Sequence, residues 1–293
     1  MSTYNGEKYL SEQINSLMTQ KGVNVHLQIR DDGSSDYTIK ILEQFKTAFP
    51  DKIDIELGTH KGFSESFYLL AASADAYDYY AFCDQDDVWM PGKLQTAVDM
   101  IDGTSDVPEM YFSNVQLTDS ILRPLHTLYK DYHFPSLLSM RLTDNPAPGC
   151  SIVFNNTARK YFIRADKDKI VYHDFWMYLI CSYMGKVVYD SNCQIMYRQH
   201  DSNVMGLHNQ KKNWIGRIRK LNHKLHIREY AAAELCRLFS SQINPAELDK
   251  VRIMSEYRKN LSAKMRLFFH REIVAPDPVK NFWFKLQVLL GSA

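Results

Sequence analysis

FCDQDDVW, residues 82–89, decides how this chain is read. Asp84, Asp86 and Asp87 close an aromatic, strand-like run, DYYAFC at 78–83, and Pro91 follows them. Like charges at one point repel, and a carboxylate taken out of water needs a partner, so either solvent or a cation has to compensate them. D-x-D spacing on an extended backbone points Asp84 and Asp86 to the same side, and hard divalent cations such as magnesium or manganese prefer carboxylate oxygens. The plain alternative is a solvated acidic turn ahead of a helix opened by Pro91 and running to about Ile101. An EF-hand loop does not fit, because Val88, Trp89 and Pro91 stand where it needs glycine and oxygen ligands.

Working outward, helix-period and strand-like segments alternate. Tyr9, Leu10, Ile14 and Leu17 share one helical stripe. VHLQIR, 25–30, alternates as a strand and runs into Asp31 and Asp32. DDGSSD is the following turn, with Ser34 or Ser35 to cap a helix, Asp36 in its first turn and Ile39, Leu42 and Phe45 on its inner face. IDIEL, 53–57, reads as a strand and FSESFYLLAASA, 63–74, as a helix. This order predicts an α/β sheet flanked by helices, with two carboxylate clusters lining one crevice beyond the strand ends. DDGSSD is either an ordinary turn or a place where Asp31 or Asp32 accepts a hydrogen bond from a nucleotide base or ribose.

MYFSNVQL, 110–117, and SIVFN, 151–155, look like strands, and DFWMYLICSYM, 174–184, looks like a buried helix. Asp174 at its start is either a helix cap or a general base at the crevice edge. YRQH, 197–200, is either a polar exit from the sheet or a site where Arg198 holds phosphate oxygens and His200 reaches a metal or phosphate. Strand signals stop near residue 200, which predicts a unit over 1–205 and a helical extension over 206–293.

The composition of the 293 residues, 45% hydrophobic and 24% charged, is that of a globular chain, and a net charge of +1 gives no general attraction to nucleic acid. Five scattered cysteines without a C-x-x-C pair indicate a reducing compartment, the cytoplasm. The first residues lack a signal-peptide pattern, and no apolar run approaches the roughly 20 residues that span a bilayer. Lys211, Lys212, Arg217, Arg219, Lys220, Lys224 and Arg228 are interleaved with Trp214, Ile218, Leu221 and Leu225 at helical spacing. Val279, Phe282, Trp283, Leu286, Leu289 and Leu290 form a second apolar stripe. Such faces either lie in an anionic membrane surface or pack on the protein itself or on a partner subunit, which leaves a homodimer open. No nucleic-acid motif accompanies them.

Taken together, STYNGEKYL, DDGSSD, FCDQDDVWMPGKL, APGCSIVFN, HDFWMYL and YRQHDSN resemble family 2 glycosyltransferases of GT-A (Rossmann-like) fold, in the same order over roughly residues 2–205. The resemblance implies that Tyr4 and Asn5 sit beside the nucleoside, with Asp31 or Asp32 on its base or ribose. It further implies that Asp84 and Asp86 bind Mn2+ or Mg2+ and the donor diphosphate, and that Asp174 is the catalytic base. Gly149 then lets the backbone approach a sugar, and Arg198 and His200 match a less uniform region. The wording FCDQDDVW, PGCSIVFN, HDFW and YRQH is most similar to bacterial rhamnosyltransferases of capsule or cell-wall polysaccharide. That implies a UDP- or dTDP-sugar donor, a lipid-linked saccharide acceptor and inversion at the sugar. It also implies a cytoplasmic protein peripheral on the inner face of the plasma membrane. Members carry an apolar first strand before S-T-Y-N-G, whereas here Met1 stands at that point, so that strand is expected to be missing and its neighbours unpaired. A catalytically silent sugar-nucleotide-binding module and a nucleotidyltransferase are the alternatives.

Overall fold

The computed structural model describes residues 1–130, 141–200, 214–275 and 277–290, with 214–226 as helix backbone alone. Strands β1 (Ser2–Thr3), β2 (Leu27–Asp31) and β3 (Ile53–Leu57) form a parallel sheet, and helices α1 (Leu10–Met18), α2 (Thr38–Ala48) and α3 (Phe63–Ser73) follow them in turn. A second sheet holds β4 (Tyr79–Ala81), β5 (Val88–Trp89), β6 (Glu109–Thr118), β7 (Pro124–Thr127), β8 (Val153–Asn155) and β9 (Lys186–Arg198). Its order is β4-β8-β6-β9-β5, with β7 on β6. Helices α4 (Lys93–Val98), α5 (Asn156–Phe162) and α6 (His173–Met184) complete this part, and α7 (Trp214–Phe239), α8 (Pro245–Glu256), α9 (Leu261–Phe269) and α10 (Pro278–Leu290) follow.

Local chemistry explains the elements that position the site. In α1 the stripe Leu10, Ile14 and Leu17 is buried against the first sheet, as its spacing requires. Tyr37 is the N-cap of α2 and makes no side-chain cap bond; Asp36 before it, and not Ser34 or Ser35, takes the first helical N–H, its Oδ1 accepting from Thr38 N and Thr38 Oγ1. α4 is shorter than the expected helix to Ile101. The two-residue β5 pairs antiparallel with β9, Val88 opposite Met196 and Trp89 opposite Ile195. That bridge sets the DQDD loop beside Arg198 and His200.

Strand β1 has two residues: Ser2 lies opposite Arg30 and Thr3 opposite Asp31. Met1 O extends the ladder by accepting from Arg30 N at 3.0 Å, and the Met1 ammonium donates to Gln28 O at 2.7 Å. Between this strand and β4 lies a cavity of about 400 Å³ lined by Met1, Leu27, Phe67, Leu70, Phe82 and Val153, among others.

The C-terminal helices share the core of the preceding part. Phe67, Phe112, Phe154 and Trp176 form one cluster of buried side chains with Leu235, Phe239, Val251 and Phe284, and Arg228 Nη2 donates to Thr143 O at 2.7 Å. The boundary expected at 205/206, and Lys211 and Lys212 of the basic segment, lie outside the described residues, as do the side chains from Trp214 to Lys224. Phe239→Ala is expected to cost about 3–5 kcal/mol. Because the core is shared, tryptophan fluorescence and far-UV circular dichroism should then report one common unfolding transition; two separate transitions would show that the helical extension folds alone.

Candidate active site

The DQDD loop leaves β4 and is held from two sides. Gln85 turns towards the N-terminus, where its Oε1 accepts from Tyr4 N at 2.8 Å and its Nε2 donates to Tyr4 O at 3.0 Å. This side-chain amide imitates a backbone bridge, and a β-carbon on Gly6 would lie 2.3 Å from Gln85 Oε1, so a larger residue there would displace that amide. On the other side Arg198 is 2% exposed. Its Nε donates to Asp86 O at 2.9 Å, Nη1 to Ser120 O at 2.8 Å and Nη2 to Glu12 Oε2 at 2.5 Å, while its backbone N–H reaches Asp87 Oδ1 at 3.2 Å. Arg198 is enclosed and braces the acidic loop.

The three aspartates have different surroundings. Asp87 is fully buried and its carboxyl is pushed well up, by burial and then by the charges of Asp86 and Asp84. Asp84 is pushed up to about 7 by burial, with the Asp86 and Asp174 charges adding to the effect. Asp86 Oδ2 lies 2.9 Å from His200 Nε2, and the His200 ring packs on Tyr9 at 4.8 Å between centroids. Donor atoms of Asp84, Asp87 and Cys150 also lie within 4.8 Å of one another. Burial pushes the Cys150 thiol well up, and sulfur is a softer donor than the carboxylates. Carboxylate oxygens and one imidazole are the donor set that suits a hard divalent cation.

Asp31 is 1% exposed and accepts from Ser34 N, Gly33 N, Ser34 Oγ and Thr3 Oγ1. Asp32, 2% exposed, accepts from Arg30, Lys61 N and Gly62 N. Burial alone would raise Asp32, but these bonds and Ser66 outweigh it and hold the carboxyl below its usual range. Both carboxylates organise the DDGSSD turn. Asn5, at φ 47°, ties the turn to the N-terminal segment: its N–H donates to Ser34 Oγ and its Oδ1 accepts from Ser35 N. Tyr4 is 45% exposed, with its ring 4.6 Å from that of His60. Tyr4 and His60 are the open aromatic groups at this edge.

Asp174 lies in the first turn of α6, where the helix dipole favours a carboxylate. Burial nonetheless pushes it up to about 6, against bonds from Phe175 N and Asn145 that lower it. The segment Gly149–Cys150 crosses from the acidic loop to this helix: Cys150 lies with Asp84 and Asp87, and a β-carbon on Gly149 would stand 2.9 Å from His173 Nε2 and 3.5 Å from Asp174 Cβ. Asp84, Asp86, His200, Gly149 and Asp174 therefore come together. Gln85 and the bracing role of Arg198 were not foreseen. The x of D-x-D passes for a spacer, and only tertiary contact with Tyr4 reveals its task.

The fold is that of the GT-A glycosyltransferases, and the chain belongs to glycosyl transferase family 2, whose model matches residues 1–151. It is 30% identical over 249 residues, 78% of this chain and 81% of the relative, to the dTDP-rhamnosyl transferase RfbG of Shigella flexneri. The TarS 1–349 structure of S. aureus in complex with UDP superposes with a TM-score of 0.54 at 15% identity, covering 92% of this chain and 71% of that one. The mannosyltransferase PcManGT of Pyrobaculum calidifontis, solved with GDP-Man and Mn2+, does so at 0.51 and 14% identity, covering 99% and 84%.

Gln85→Ala should lower the urea midpoint by the equivalent of about 1 kcal/mol, the net worth of an ordinary hydrogen bond. Gln85→Glu should cost more, because it loses the donor to Tyr4 O and adds a carboxylate beside Asp84 and Asp86; an unchanged midpoint in both variants would show that the clamp is idle.

Proposed function

We propose that the chain is an inverting, cation-dependent glycosyltransferase. It transfers a sugar, rhamnose by likeness to the Shigella relative, from a dTDP- or UDP-sugar to a lipid-linked saccharide of bacterial capsule or cell wall. The observation that carries this reading is the convergence of Asp84, Asp86 and His200 with Gly149 and Asp174 beyond the strand ends. Asp84, Asp86 and His200 would hold Mn2+ or Mg2+, which neutralises charge on the departing diphosphate. Tyr4, His60 and Asn5 offer the nucleoside an aromatic and polar edge. Asp174 takes the proton of the acceptor hydroxyl as that oxygen attacks the anomeric carbon opposite the diphosphate, so the configuration inverts. No covalent intermediate with the protein is required.

Two further observations bear on the setting. Among the described residues no helix is long and apolar enough to cross a membrane, while Leu261, Phe269, Phe282 and Trp283 are exposed on α9 and α10. These support peripheral contact with the cytoplasmic face of a membrane, where a lipid-linked acceptor would be met. A second reading is binding of the sugar nucleotide without turnover.

Transfer from dTDP-rhamnose separates the two readings. Asp174→Asn is expected to lower kcat at least a thousandfold while leaving dTDP affinity within about threefold, and a variant with wild-type turnover would remove Asp174 as the base. In the wild type, kcat/KM should fall about tenfold per pH unit below about 6, because Asp174 must be ionised to accept a proton. Chelation of divalent cations should abolish transfer, and Mn2+ should restore it.

A further inference from the structure

His173 opens α6 only 5% exposed, and neither its Nδ1 nor its Nε2 has a hydrogen-bond partner among the described residues. A neutral imidazole carries one donor and one acceptor, and leaving both unmade in a buried place is costly. The ring is nonetheless firmly held. It stacks on Phe67 with centroids 4.1 Å apart, meets the edge of Phe82 at 4.7 Å and lies 6.0 Å from Phe63. Burial pushes its pKa down to about 3, so it is no counter-ion for Asp174. The bare α-carbon of Gly149 faces Nε2, and a β-carbon there would stand 2.9 Å from that nitrogen and 3.5 Å from Asp174 Cβ. Glycine therefore lets the backbone run close against His173 Nε2 and Asp174.

Gly149 adjoins the acidic cluster, since the next residue, Cys150, lies within 4.8 Å of Asp84 and Asp87. If the diphosphate is held at the cluster, the group over Gly149 is the sugar attached to it. We infer that His173 is a sugar-binding residue whose imidazole exchanges a hydrogen bond with a hydroxyl of the transferred sugar over Gly149, beside the Asp174 carboxylate. A neutral ring among phenylalanines suits a sugar with few hydroxyls and an apolar face, because it adds no charge to be desolvated. The inference rests on the glycosyl-transfer reading and extends it to the residue that recognises the donor sugar.

Two variants test it. His173→Phe keeps the ring and removes both nitrogens, and His173→Gln places an amide N–H near the position of Nε2. His173→Phe is expected to keep or raise Tm, to bind dTDP as the wild type does, and to lose at least tenfold in kcat/KM for dTDP-rhamnose. His173→Gln should recover part of that loss. Transfer that survives His173→Phe unchanged overturns the contact alone, whereas a wild type that transfers nothing overturns the glycosyl-transfer reading and the inference with it. Should His173→Phe fail to fold, nitrogen NMR of the wild-type imidazole decides. Its Nε2 resonance should shift on adding dTDP-rhamnose and not on adding dTDP, and no difference between the two ligands would overturn the contact.

Discussion

Mutual repulsion among Asp84, Asp86, Asp87 and Asp174 is the constraint around which the rest of this molecule is arranged. Each carboxylate has its own answer to it. Asp87 goes fully inside, accepts from Arg198 N, and shares its surroundings with Lys93, itself buried 3.3 Å from the centroid of the Trp89 ring. Asp86 takes His200 as neighbour, and Asp174 uses the N-terminal end of α6. Asp84, opposed only by the charge of the Met1 ammonium among the described residues, is raised to about 7, chiefly by burial. A divalent cation held there, as proposed, would relieve this repulsion.

The bracing is as informative as the charges. Arg198 draws Asp86, Ser120 and Glu12 onto one guanidinium, and its ring-facing side lies 4.3 Å from the Tyr9 centroid. Gln85 fastens the same loop to Tyr4, and Asn5 fastens Tyr4's neighbour to the DDGSSD turn. Three segments far apart in sequence, the N-terminus, the first acidic turn and the second, are thereby locked into one rim. Precision at the crevice comes from polar contacts between backbone and side chain, which a loop needs more than a helix does.

Much of this was legible in the sequence. Period-two runs such as VHLQIR and IDIEL, and the Leu10, Ile14 and Leu17 stripe, announce an α/β sheet because burial on one face imposes the spacing. Clustered carboxylates at strand ends mark the crevice because their repulsion needs a purpose. What stayed hidden depends on partners distant in sequence. Thr3, Arg30, Lys61 and Gly62 close around Asp31 and Asp32 only in the fold. Glu12 is brought to Arg198 in the same way, and β5 is too short for any periodicity to show.

The central claim, that the acidic loop exists to hold a cation under a nucleoside diphosphate, is tested most directly by calorimetric titration with dTDP in the presence and absence of Mn2+, for the wild-type chain and for Asp86→Asn. The account predicts that Mn2+ tightens dTDP binding at least tenfold in the wild type and leaves the variant unaffected. Equal affinity with and without Mn2+ in a folded wild-type chain would contradict it.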